Sequence, residues 1–294
     1  MNTPTIASPT RDLLGECPLW DIRDQCLYWV DSKAPLVRRL HLATGARTEW
    51  RVSGDVGSIA LTESGRILMA LEDGFHLLDT ATGASRLVAK VAHSGPRIRM
   101  NDGRTDRQGR FVAGSLVMGR HDKDGAFYRL EKDGSVTLLI PGIALANSTC
   151  FSPDGRTMYY TDSFSDTVNA VDYDPASGRI GTPRALMNTR PQGSAPDGAT
   201  VDAQGCLWVA LVQAGKLGQY APDGRVMQVL DVPTPYPSCP CFGGPDLDIL
   251  FVTSLSNTGN LMKTDHPDGG ALFAFHGLGV KGLPEVRFDD GALA

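Results

Sequence analysis

Glu16, Asn101, Asn147 and Asp197 are the residues of this chain whose types and spacing most directly suggest chemistry. Each stands at the same place relative to a recurring pattern, a turn rich in Asp and Gly followed by a compact apolar run. The pattern reads DIRDQCLYWVDS, TESGRILMAL, TDRQGRFVAGS, SPDGRTMYYTDS, VDAQGCLWVAL and GPDLDILFVTS, and its runs begin at Leu27, Ile67, Phe111, Met158, Leu207 and Leu250. Ten or eleven positions upstream stand Glu16, Gly57, Asn101, Asn147, Asp197 and Cys239. Glu16, Asn147 and Asp197 offer two carboxylates and an amide carbonyl, a hard oxygen set that suits calcium, magnesium or manganese and can also hold zinc; Asn101 is a fourth candidate. Taken singly, each has a plainer reading: Asp197-Gly198 and Asp102-Gly103 as turn pairs, Asn147 as an exposed cap, Glu16 as a solvated charge. Their coincidence at one phase of the repeat favours the joint reading.

The elements that must position these residues follow from the spacing of the runs, whose first residues lie 40, 44, 47, 49 and 43 positions apart. A period of this length matches a four-stranded propeller blade, and six copies predict an all-β, six-bladed β-propeller of antiparallel blades as one domain over residues 1–294. Equivalent positions of successive blades lie at one height around the axis, so the six upstream residues should face one another at one end of the channel. The segments around them, LLGECPLW, RIRMNDGRTD, LANSTCFSPDG and APDGATVDAQG, carry Gly, Pro or Ser beside the polar residue, where a chain bends. Asp73-Gly74, Asp124-Gly125, Asp133-Gly134 and Asp223-Gly224 mark further hairpins. One more period after Leu250 reaches the end of the chain, so the last blade should borrow a strand from one terminus, which would hide otherwise open edges.

Composition narrows the function classes. A formal charge of −5 and a pI near 5.7 leave no basic footprint for nucleic acid or an anionic membrane, so a small-molecule partner is expected. The N-terminal MNTPTIASPTRD has no secretory pattern and no run of eighteen apolar residues occurs, which reads as a cytoplasmic protein. The six cysteines, including the CPC pair Cys239 and Cys241, then read as buried thiols rather than disulfides or a zinc set. The six histidines show no pairing at metal spacing. GLGVKG at 277–282 matches GxGxxG but leaves only twelve residues after it, too few for a nucleotide-binding unit, and reads as a glycine-rich strand connection. There is neither a GxSxG elbow nor a Walker loop.

The segments LGECPLWD, RMNDGRTDRQGRFVAGS, NSTCFSPDGRTMYYTDS, PDGATVDAQGCLWVAL and CFGGPDLDILFVTS, spread from residue 14 to residue 254, resemble the family of senescence marker protein 30, gluconolactonase and luciferin-regenerating enzyme. The resemblance implies a six-bladed propeller binding one divalent ion (Ca2+, Zn2+, Mn2+, Mg2+ or Fe2+), with Glu16, Asn147 and Asp197 as metal ligands and Arg99 and Asn101 as substrate contacts. Cys17 departs from the small residue, often Gly or Ser, that usually follows the glutamate. The implied activity is metal-dependent hydrolysis of a sugar lactone to the aldonic acid. Asp197 would both ligate the ion and take a proton from the attacking water, while Arg99 and Asn101 would grip sugar hydroxyls. Two rivals share the propeller and the ion: a metal-dependent arylesterase or phosphotriesterase, and a non-catalytic calcium-binding propeller.

Overall fold

In a computed structural model, which describes residues 3–119, 121–259 and 262–293, each Asp/Gly-rich turn of the repeat joins the first two strands of a sheet. Only the first two residues of the N-terminal stretch discussed above fall outside it. The local chemistry explains the turn. Asp106 Oδ1 accepts the amides of Gln108 and Arg110, and Asp202 Oδ1 those of Gln204 and Cys206, so the side chain replaces the backbone acceptors that the bend removes. One residue of each turn must be left-handed; Gly65, Gly109, Gly155 and Gly205 take that place in four blades, and Gln25 and Leu247 take it in blades one and six.

Among the described residues there are six four-stranded antiparallel sheets and no α-helix. Their first strands, Gly15–Asp21, Ser58–Leu61, Ile98–Thr105, Ala146–Phe151, Pro196–Val201 and Pro237–Gly243, each touch the first strand of the next blade, and the last touches the first. The sheets therefore form a closed ring, the six-bladed propeller expected from the period. Leu27, Ile67, Phe111, Met158, Leu207 and Leu250 all lie in second strands and are completely or almost completely buried.

Apolar side chains from adjacent blades fill the spaces between them. Tyr28 and Trp50 of blade one pack with Ile59 and Met69 of blade two, and Trp20 stacks on Phe251 across the seam between blades one and six. Each fully buried large side chain contributes about 2–3 kcal/mol. All six cysteines are buried and unpaired, as their scatter suggested.

The borrowed strand is N-terminal. Thr5–Ser8 pairs with Leu272–Phe275 and becomes the outer strand of blade six. The C-terminal segment has a different task. From Lys281 onward it crosses the end of the ring where the repeat turns lie: Lys281 O accepts Ala203 N, Gly282 N donates to Leu247 O, Glu285 pairs with Arg104 at 2.5 Å, and Phe288 bridges to Thr62. The GLGVKG stretch thus leads into this non-strand strap rather than connecting two strands. Gly282 lies so close to Phe242 that a Cβ would sit 2.1 Å from that side chain.

Candidate functional site

The opposite end of the ring collects the polar residues of the repeat phase. Glu16, Asn147 and Asp197 are each the second residue of a first strand, Asn101 is the fourth, Cys239 the third, and Gly57 immediately precedes one. The register of the first strand breaks at this point in five blades: between Glu16 and Leu19, Met100 and Gly103, Asn147 and Cys150, Pro196 and Ala199, and Pro237 and Pro240. A bulge turns a side chain that would lie flat on the sheet toward the axis. Cys17 and Ser148, the residues after Glu16 and Asn147, sit at φ +46° and +57°, left-handed angles within these bulges. Asp102-Gly103 and Asp197-Gly198 are therefore parts of bulged strands, not hairpin turns.

Asn101 and Asn147 meet directly. Asn101 Nδ2 donates to Asn147 Oδ1 at 3.1 Å and to Ala146 O at 2.8 Å, while Asn147 Nδ2 donates to Ser163 Oγ at 2.9 Å. Ser163 Oγ in turn donates to Pro196 O at 2.7 Å. This chain fixes the Asn147 amide and leaves one lone pair of its Oδ1 for a further partner. Arg99 Nη1 donates to Met100 O at 2.8 Å and to Asn101 Oδ1 at 3.2 Å, so the predicted substrate contacts share one hydrogen-bonded group. Arg99 Nε is buried without a hydrogen bond, with Asp55 Oδ2 3.6 Å away.

Glu16 and Asp197, from blades one and five, interact electrostatically. Burial pushes the Glu16 carboxyl well above the usual range, and the charges of Asp197 and Asp102 push it further; Asp197 is raised by burial and by Asp102. Among the described residues no Lys, Arg or His forms a salt bridge with either carboxylate, and the charge of Arg99 offsets the rise at Glu16 only in part. Glu16 and Asn101 remain partly open, while Asn147, Asp197, Asp102 and Arg99 are buried. Two repelling carboxylates beside an oriented amide oxygen fit a hard divalent cation. Among the described residues there is no cluster of three or more His, Cys, Asp or Glu placed for a metal, so an ion here would rest on amide oxygen as well as on Glu16 and Asp197.

Several participants escape a reading by repeat phase. Asp55, beside Arg99 and Lys33, lies in the connection before blade two, Ser163 in a short 3-10 turn, and Asp102 one residue past the phase position. A signal for Asp102 existed in the dipeptide Asn101-Asp102, but Asp-Gly reads locally as a turn. Gly57 and Cys239 occupy the phase without donating oxygen. Gly57 gives blade two room to approach blade three: a Cβ there would lie 2.5 Å from Met100 O and 2.6 Å from Asn101 Cα. Gly57→Ala is expected to displace Asn101, lowering any activity that depends on it by about tenfold, an energetic loss near 1.4 kcal/mol, and, because the clash is with backbone, to cost about 1–3 kcal/mol of stability. Assay and thermal melt on the same sample check this.

Residues 14–256 match the family described as the SMP-30/gluconolactonase/LRE-like region. The 6-deoxy-6-sulfogluconolactonase of Pseudomonas putida is 32% identical over 278 residues, which cover 94% of this chain and 95% of the relative. Regucalcin of Xenopus laevis is 32% identical over 284 residues, with 94% of each chain covered. A crystal structure of regucalcin from Agrobacterium tumefaciens, described as a calcium-binding protein, superposes with a TM-score of 0.91 at 31% identity, over 98% of this chain and 97% of that one. A match over most of the repeat array, together with the same closed ring in a solved relative, establishes that the chain belongs to the SMP-30/gluconolactonase/LRE-like family.

Proposed function

We propose that this protein hydrolyses a sugar lactone to the open aldonic acid, using a divalent cation held by Glu16, Asn147 and Asp197. The observation that carries the reading is the convergence of Glu16 and Asp197, two buried carboxyls from different blades whose proton affinity is raised, that of Glu16 in part by the charge of Asp197, beside an amide oxygen held in place. The name of the Pseudomonas putida relative supplies the substrate class, a gluconolactone derivative.

A cation bound there would polarise the lactone carbonyl and stabilise negative charge growing on its oxygen. The protein's own groups do the rest. Asp197 has two carboxylate oxygens, one for the ion and one to accept a proton from the attacking water. Asn101 and Arg99, already hydrogen-bonded to each other, present a fixed donor and acceptor pattern to the sugar hydroxyls, and a guanidinium holds such geometry better than an ammonium. Burial of Asn147 and Asp197 limits competing water.

Aldonolactones added to weakly buffered protein should produce a fall in pH faster than the spontaneous hydrolysis seen without protein, an excess that a chelator abolishes and added divalent cation restores. Acid release above the spontaneous, protein-free rate that persists after complete metal removal would rule out the metal-dependent scheme. A second reading, an ion-binding propeller without turnover, draws support from the calcium-binding description of the Agrobacterium tumefaciens relative. It predicts calcium binding by titration with no acid from any lactone of the panel. A metal-dependent esterase would instead open aryl esters or phosphotriesters in preference to lactones.

A further inference from the structure

Two ligand-bearing segments of the proposed site hang on Asp102. It is 6% exposed, and its Oδ2 accepts the backbone N–H of Thr149, in the next blade, at 2.6 Å. That amide closes the bulge between Asn147 and Cys150, in which Ser148 holds a left-handed φ of +57° without being glycine. Such a conformation persists only when its surroundings dictate it. A carboxylate acceptor gives a stronger hydrogen bond to a buried N–H than a neutral oxygen would. Arg104, two residues along the same strand, partly balances the charge that this arrangement buries.

The constraint does not stop at blade four. Ser148 Oγ donates to Asp197 O, and Ser163 Oγ, which receives Asn147 Nδ2, donates to Pro196 O. The strand entrances bearing Asn147 and Asp197 are thereby joined to each other, and the pair is joined to blade three through Asp102. Asn101, the neighbour of Asp102, adds a parallel tie through its hydrogen bond to Ala146 O. Blade three thus grips blade four on both sides of Asn147.

We infer that Asp102 is a positioning residue: through the Thr149 amide it holds the Asn147–Ser148–Thr149 bulge, and through Ser148 the Asp197 strand, in the arrangement that binds the cation. This rests on the reading above that Asn147 and Asp197 are ligands. Asparagine at 102 keeps an oxygen that can accept from Thr149, whereas alanine does not. A purely electrostatic role would not distinguish them, and a bulk structural role would lower the melting temperature of Asp102→Ala together with its affinity.

The test is calorimetric titration of metal-free protein with Mn2+ and Ca2+, with thermal melts alongside. Asp102→Ala is expected to weaken cation binding by at least about tenfold, and Asp102→Asn to stay within about threefold of the parent, the range that a single hydrogen bond to a charged group spans. Should the alanine variant not fold, Asp102→Ser, too short to reach the amide, takes its place. Unchanged cation affinity in the alanine or serine variant, or a loss above tenfold in Asp102→Asn, overturns the inference. Affinity is read without lactone, so a parent protein that binds the ion but opens no lactone would sink the lactonase reading while the Asp102 comparison still decides its own question. A parent that binds neither ion overturns both.

Discussion

Asp197→Ala is expected to lower kcat/KM for lactone opening by more than about 10³-fold, because under the proposed function it removes a cation ligand and the acceptor for the water proton together. Asn147→Ala removes a proposed ligand and its hydrogen bonds to Asn101 and Ser163 but leaves the proton acceptor in place, so its loss should be recovered in part at high cation concentration; that of Asp197→Ala should not. The two variants therefore separate binding from chemistry. Neither should unfold the ring. Asp197 repels Glu16 in the metal-free protein, so its removal relieves an unfavourable interaction, and the metal-free Asp197→Ala melt is expected at or above that of the parent near neutral pH. A variant that melts far below the parent would show that Asp197 holds the fold rather than the reaction, and the assignment of its role would fail. Steady-state kinetics across a cation series, with a melt at each point, measures both halves.

The second large effect is on stability as a function of pH. In the metal-free protein Glu16 and Asp197 bind protons more tightly when folded than when unfolded, so their contribution is complete below the ordinary carboxylate range and is lost as pH rises through their elevated folded values. A divalent cation takes the place of those protons. Above the elevated values it should restore stability, and at a hundredfold excess over Kd this amounts to about 2.7 kcal/mol, a rise in melting temperature of roughly 5 °C for a chain of this size. Cation affinity should fall in acid for the same reason, since protons compete for both carboxylates. Asp12, pushed up to about 7 by burial but bonded to Arg38 and Trp29, adds a pH dependence belonging to a different cluster. The difference between melts with and without cation therefore isolates the Glu16–Asp197 pair. A cation-induced shift of equal size at pH 4 and pH 8 would contradict the coupling.

The site was partly legible because the repeat is a local code. A buried run after an Asx turn recurs wherever a blade must reverse at the end of its first strand, so Leu27, Ile67, Phe111, Met158, Leu207 and Leu250 mark the blades without reference to contacts between them. Counting back from these runs crosses a single strand, and a strand conserves phase to within a residue. Glu16, Asn101, Asn147 and Asp197 consequently fell together, even though bulges add a residue to some first strands and not to others.

Asp102 shows where such counting ends. Its neighbour Gly103 made the pair look like a hairpin turn, since Asp-Gly has the same local preference in a turn as in a bulged strand. The contact that distinguishes the two, with the Thr149 amide, lies 47 residues along the chain. The closing strand shows the same boundary: a missing partner for blade six followed from the period, but its supply by Thr5–Ser8 depended on which terminus reached the open edge. The strap after Lys281 carries no periodic signal, because it is held by the turns of several blades and by Glu285 on Arg104.

By itself, then, the sequence determined the number of blades, the buried strand of each and the polar residues brought to one height, since all three follow from short-range preferences repeated at a fixed interval. Tertiary structure alone decided the bulges that aim those residues inward, the terminus that closes the ring and the serine, asparagine and aspartate bonds that tie one blade to the next. The ties between blades join groups 33 to 49 residues apart in the chain, and a hydrogen bond of that kind has a direction that no local pattern encodes.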